Sequence, residues 1–201
     1  MHSKTEPPGT RQRLVLATLE LLQRQGLHGF GVSEVLARAE APKGVLYHHF
    51  PGGKVELAIA AIETAVAQLL HGLQVVQAAG TDPVAALRHW LDRAHQRLVK
   101  SGFDLGCPLA GVALESTAAD QQLREALERG FAAIRDELAT TFALAGLTRP
   151  RARKFATLVI SAYEGALLQA RIAGELRPAN DTVDLLLEML QGEIDATRSR
   201  T

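Results

Sequence analysis

The segment Ala41 to Leu57, APKGVLYHHFPGGKVEL, concentrates groups that could contact a polyanion. Lys43 can reach a phosphate or a guanine edge. Tyr47 can donate to a phosphate oxygen, and His48 can contact a phosphate or a base edge. Ser33 and Lys54 each stand where a helix is expected to begin. There, unpaired N–H groups and the helix dipole already attract an anion. Gly44, lacking a Cβ, lets a partner surface approach the backbone. On a helix from Pro42 to Phe50, a turn of 100° per residue places Lys43, Gly44, Tyr47 and His48 on one face. Leu46, His49 and Phe50 share the opposite face. The apolar side is expected to lock onto neighbouring helices, with His49 hydrogen-bonded beneath. The competing reading is a solvated helix face with no partner.

Other chemistries find less support. Adjacent residues such as His48 and His49 face different ways on a helix, and His89 and His95, six apart, also lack ligand spacing. No metal site is expected. Cys107 is the only cysteine, which excludes an intrachain disulfide framework and any CxxC site. It precedes Pro108 with no electropositive surroundings, so a small buried apolar residue is the plainer reading than a nucleophile. There is no GxSxG, HExxH, P-loop or paired-carboxylate motif, so the chain reads as a non-enzyme needing no cofactor.

The elements that must position these groups are helical. Ala, Leu, Glu, Gln and Arg dominate, apolar residues recur at spacings of three and four, and nothing reads clearly as a strand. The first helix spans about 11–25, closed by Gly26. Ser33 is expected to N-cap a short helix through Ala39, and Pro42 to open the next, which Pro51-Gly52-Gly53 ends. A long helix follows over 54–78, ending at Gly80, then one opened by Asp82-Pro83 and closing near Ser101-Gly102. After a loop at FDLGCP, a broken helical piece is expected over 109–117, then helices over about 120–145, 150–173 and 180–196. The fold class is all-α with about nine helices. A helix-turn-helix head over 1–57 precedes a body over 58–201.

Composition sets bounds. The chain has 201 residues, 47% of them hydrophobic, and zero formal net charge. That suffices for a real core and leaves only a local patch for any nucleic-acid role. Residues 1–57 carry seven Lys/Arg against five Asp/Glu, plus four His, which tilts the head mildly basic. The polar N-terminus lacks a secretory h-region. The apolar run LAIAAIETAVAQLL is interrupted by Glu63 and Gln68 and is short for a bilayer. A cytoplasmic protein without a membrane partner is expected.

The stretch GVSEVLARAEAPKGVLYHHFPGGKVEL resembles the DNA-binding signature of the TetR family of transcriptional repressors. Its LYHHFPGGK form, with GCPLAGVALE at Gly106 to Glu115, is similar to the LmrA/YxaF-like branch. Where family members usually carry Gly in the turn, this chain has Glu40. A left-handed conformation there costs a non-glycine residue roughly 1 kcal/mol. The resemblance implies DNA contacts from Ser33, Lys43, Gly44, Val45, Tyr47, His48 and Lys54. It also implies a body that binds a small-molecule effector and pairs with a second copy. For the cavity lining, Trp90, Phe103, Cys107, Phe131 and Tyr163 are expected. Glu115 and Glu164 stand in apolar surroundings, either as surface residues or as polar anchors.

One short recognition helix reads few base pairs, so a homodimer on a palindromic operator is expected. The last two helices carry apolar stripes for that interface: Phe155, Leu158, Val159, Ala162 and Ala166, then Val183, Leu186, Leu187, Leu190 and Ile194. The functional expectation is a ligand-responsive repressor of double-stranded operator DNA, released by a hydrophobic or aromatic small molecule. The alternative is a helical interaction module without sequence-specific DNA binding.

Overall fold

The computed structural model describes residues 9–78 and 82–199, and among them nine helices and no strand. They are α1 (Thr10–Gln25), α2 (Val32–Arg38), α3 (Val45–His49), α4 (Gly53–Ala78), α5 (Pro83–Lys100), α6 (Pro108–Glu115), α7 (Gln121–Leu144), α8 (Arg149–Ala173) and α9 (Arg177–Arg198). The all-α expectation is met. Gly80, expected to close α4, lies outside the described residues, as does most of the polar N-terminus.

Local chemistry accounts for most boundaries. Asp82 caps α5, its carboxylate accepting from the Val84 and Ala85 N–H groups at 3.1 Å each, with Pro83 in the first turn. Gly26 and Gly174 end α1 and α8 at positive φ, where a carbonyl-satisfying left-handed cap is cheapest for glycine. α9 begins at Arg177, three residues before the expected start, because Pro178 suits its first turn.

α1 and α4 are the frame. Leu14, Leu21 and Leu22 of α1 are buried, against a core that continues through Leu57, Ala58, Ala61 and Ile62 of α4. Each such side chain removed from water contributes about 1.5–3 kcal/mol. α4 then packs along α5 and α7, α7 pairs with α8, and α8 with α9. The expected boundary after residue 57 falls inside α4, which runs through it unbroken. By length and composition alone α4 could cross a bilayer; Leu57, Ala58, Ala61, Ile62, Ala65, Val66 and Leu73 are buried against these neighbours, whereas Val55 and Val75 are exposed.

The apolar stripe assigned to an interface between copies is largely consumed within the protomer. Phe155, Val159, Ala166, Val183, Leu186, Leu187, Leu190 and Ile194 are all buried in the single chain, and Ala162 is half-buried. α9 has two partners in its own chain, α8 and α5, so its apolar side closes there. Only Leu158 of the ten is exposed. α8 and α9 also expose Leu168, Ile172, Leu185 and Met189, none of them in the expected set.

Candidate nucleic-acid interface and body cavity

α2 and α3 are held by α1. The Glu20 carboxylate of α1 binds Arg38 of α2 at 2.6 Å and Arg24 at 3.1 Å. The Arg13 guanidinium donates to the Ala39 carbonyl at 3.0 Å. Leu46 and Phe50 are completely buried beneath α3, and the Arg11 guanidinium lies 4.9 Å from the centroid of the Phe50 ring.

The turn between α2 and α3 is a Schellman motif. The Ala41 N–H bonds the Leu36 carbonyl at 2.9 Å and the Glu40 N–H bonds Ala37 at 3.2 Å. Its left-handed position is Glu40, at φ 48. The strain expected from the Gly-to-Glu departure is therefore present.

Ser33 does not cap α2. The cap residue is Gly31, extended at φ −109 and ψ 165, and helical geometry begins at Val32. The Ser33 hydroxyl is exposed in the first turn instead. Lys43 and Gly44 precede α3 rather than riding on it, since Pro42 and the left-handed Gly44 (φ 92) form a turn that delays the helix to Val45. Lys43, Tyr47 and His48 are nevertheless all exposed, Tyr47 to 61%. Val45 differs from them: it is half-buried against the core. His49 is half-buried, and its ring meets that of His48 edge-on at 5.1 Å.

Lys54 occupies the first turn of α4. Its ammonium donates to the Phe30 carbonyl and lies 4.3 Å from the Phe30 ring centroid. Burial lowers its pKa and the charge of Glu115 partly opposes that. Two of its three N–H donors remain for another acceptor.

The body holds a partly open cavity of about 190 Å³ among α1, α4, α5, α6, α7 and α8. Trp90, Cys107, Phe131 and Tyr163 line it. Phe103 does not: it follows Gly102 at the end of α5, adopts φ 64 and packs into the core instead. The Trp90 indole N–H is already used, donating to the Leu69 carbonyl at 3.0 Å. Glu164 proves to be a cavity residue, and Gln23, Gln68 and Arg97 join it as polar lining that the sequence reading missed.

Burial, then the neighbouring Glu164 charge, pushes the Cys107 thiol well above its ordinary range. Burial likewise raises Glu164, with a hydrogen bond from Cys107 opposing. Burial first, and Glu164 next, hold the Tyr163 phenol far above its usual value. Burial thus disfavours the charged forms of all three groups, and the exposed Arg97 stands in the same lining. Among the described residues no three His, Cys, Asp or Glu side chains converge on a metal geometry.

Leu19 and Gln23 place α1, a helix of the head, in the cavity wall. The signal was available in LVLATLELL, where apolar residues surround α1 on more than one side and so demand more than one partner.

The chain is similar to known proteins over most of its length. The model for bacterial regulatory proteins of the tetR family matches residues 14–61, and that for the C-terminal domain of LmrA/YxaF-like transcriptional regulators matches 83–183. An HTH-type transcriptional regulator of Mycobacterium tuberculosis (strain ATCC 25618 / H37Rv) is 32% identical over 196 residues, spanning 92% of this chain and 96% of its own. The HTH-type transcriptional regulator LmrA of Bacillus subtilis (strain 168) is 28% identical across 84% of this chain and 90% of its own. The crystal structure of regulatory protein TetR from Rhodobacter sphaeroides is similar with a TM-score of 0.81 and 26% identity, covering 89% of this chain and 97% of that one. A helix-turn-helix braced on α1, a cavity in the body behind it and matches along nearly the whole length make this chain a member of the TetR family of bacterial transcriptional regulators, in its LmrA/YxaF-like branch.

Proposed function

We propose that this regulator is a cytoplasmic repressor that binds a palindromic operator as a homodimer and is released by a hydrophobic or aromatic small molecule. The observation that carries this reading is the exposure of Lys43, Tyr47 and His48 around an element anchored by Leu46 and Phe50, next to a body with a cavity. Lys43 and the remaining Lys54 donors would take phosphates, with the Ser33 hydroxyl beside them. Tyr47 and His48 would meet a phosphate or a base edge. Gly44 shapes the approach through its left-handed turn, and Val45 supports it from below.

The second copy would pack on the outward faces of α8 and α9, where Leu158, Leu168, Ile172, Leu185 and Met189 are exposed. A two-fold pair would present two heads to major grooves about 34–36 Å apart. The effector's character follows from a lining in which apolar side chains predominate. Selection of bound sequences from random DNA tests the reading: a palindrome should emerge. Recovery of no sequence at low salt would favour a helical interaction module instead.

A further inference from the structure

The cavity and the head are joined by more than α4. The chain entering α6, from Gly106 to Leu109, borders the cavity. α6 is eight residues long, a rod of about 12 Å, and its last residue is Glu115. There the Glu115 Oε2 accepts the His28 N–H at 2.8 Å, in the loop that leads from α1 to α2. Its Oε1 occupies the place of a side chain on Gly26: a Cβ built there would stand 1.6 Å from it. Gly26 also adopts φ 72, so that position is restricted twice over. Glu115 further attracts Lys54, whose ammonium holds the Phe30 carbonyl in the same loop. One carboxylate thus gathers the ends of α6, α1 and α4.

The near end of α6 is fastened to α1 as well. The Gly106 N–H donates to the Gln23 carbonyl at 3.0 Å, and Gln23 itself lines the cavity. One residue on, Arg24 pairs with Asp104, and Arg171 of α8 donates to the Arg24 carbonyl at 3.1 Å. A shift of the cavity wall at Gly106–Leu109 therefore cannot leave the far end of α6 where it was without breaking a polar contact to the head.

We propose that Glu115 is the positioning residue through which occupation of the cavity is conveyed to the DNA-binding head, with α6 as the rod it terminates. This rests on the reading of the cavity as a ligand site. Its distinguishing content is the route: a hydrogen-bonded carboxylate on α6, acting on the loop Gly26–Phe30 and so on α2 and α3.

The test uses full-length protein and toluene. An engineered apolar cavity of about 150 Å³ admits benzene, so the cavity here has room for that probe. Trp90 is the chain's single tryptophan and lines the cavity, so its fluorescence reports occupancy. Amide hydrogen exchange over residues 26–30 and α3 reports the head. Glu115→Ala, which leaves the His28 N–H without its acceptor, should raise exchange at that amide about tenfold, and Glu115→Gln, whose amide oxygen can still accept, should restore protection.

The deciding readout is the response to toluene. Wild type and Glu115→Gln should change exchange over 26–30 and α3 severalfold when toluene binds. Glu115→Ala should bind toluene equally by Trp90 fluorescence and transmit no change. An equal response in Glu115→Ala, no response in wild type, or no binding of toluene at all would overturn the inference. Operator affinity with and without toluene is measured separately. Transmission to the loop without any effect on operator binding would refute the proposed regulation and leave the Glu115 connection standing.

Discussion

The Lys54 ammonium donates to the Phe30 carbonyl while standing 4.3 Å from the centroid of the Phe30 ring, so one side chain straps the start of α4 to the loop between α1 and α2. The residue that the sequence marks as a phosphate contact therefore also braces the head. These roles separate experimentally. Lys43→Ala and Tyr47→Ala alter exposed groups, so operator affinity should fall while the melting temperature stays put. Loss of Lys43, if it meets a phosphate, should lower the salt slope of binding by about one unit. Lys54→Met should lower affinity and also cost about 1–2 kcal/mol of stability, from a lost charge-assisted hydrogen bond and cation–π contact. Chemical denaturation beside a binding titration checks this. A Lys54→Met protein as stable as wild type would contradict the bracing role.

Glu40 offers a gain rather than a loss. At φ 48 it occupies the left-handed position of the Schellman turn without a glycine's freedom. Glu40→Gly should stabilise the protein by about 1 kcal/mol. It should also strengthen operator binding, since an exposed carboxylate leaves the side of the head proposed to face DNA. Unchanged stability by urea titration would show that the turn carries no such strain.

The helix order and the inward and outward sides of the α3 region were legible in the sequence because both depend on local rules. Asp82-Pro83 starts a helix through its own side chain, and Leu46 with Phe50 face inward by helical spacing. What was not legible depends on partners distant in sequence. The stripe of Val183, Leu186, Leu190 and Ile194 looks the same whether α5 and α8 or a second chain covers it. Phe103 misses the cavity because of its own left-handed backbone, which an aromatic residue does not announce. Glu164 could be placed only once α6 put Cys107 beside it.

The correction to the stripe makes a prediction about assembly. Leu168 is 53% exposed on α8, whereas Leu190 is fully buried. Leu168→Glu should yield folded monomers that bind operator poorly. Leu190→Glu should instead unfold the protein, because an unpaired charge would enter the protomer's own core. Sedimentation with circular dichroism distinguishes the two. A folded, monomeric Leu190→Glu protein would return the interface to the original stripe.

Cys107 should be slow to alkylate. The thiolate is the nucleophile, and burial with the adjacent Glu164 keeps this sulfur protonated. At pH 7.5, iodoacetamide should modify the native protein at least about tenfold more slowly than the urea-unfolded chain. Toluene in the cavity should slow it further, because Cys107 shares that wall. Equal rates in native and unfolded protein would mean that the thiol is open and activated.

His95 gives stability a pH dependence of known sign. The side chain is 4% exposed, its ring stacks on Tyr163 at 5.7 Å, and its Nε2 has no hydrogen-bond partner among the described residues. Burial lowers its pKa below the ordinary histidine value, and Asp92, 4.0 Å from Nδ1, opposes this only in part. The native state thus holds a neutral imidazole, while the unfolded chain takes up a proton near pH 6.5. Between the lowered native pKa and about 6.5 the unfolded state binds more protons, so stability rises with pH through that window. The contribution is complete above about pH 6.5 and is lost as pH falls through the native value. His95→Phe keeps a ring against Tyr163, removes the unpaired nitrogen and has nothing to protonate. Its stability at pH 7.5 should equal or exceed that of wild type, and its profile between pH 5 and 6.5 should be flatter. Urea titrations across that range measure both slopes, and identical slopes would show that His95 is not the group whose protonation opposes folding.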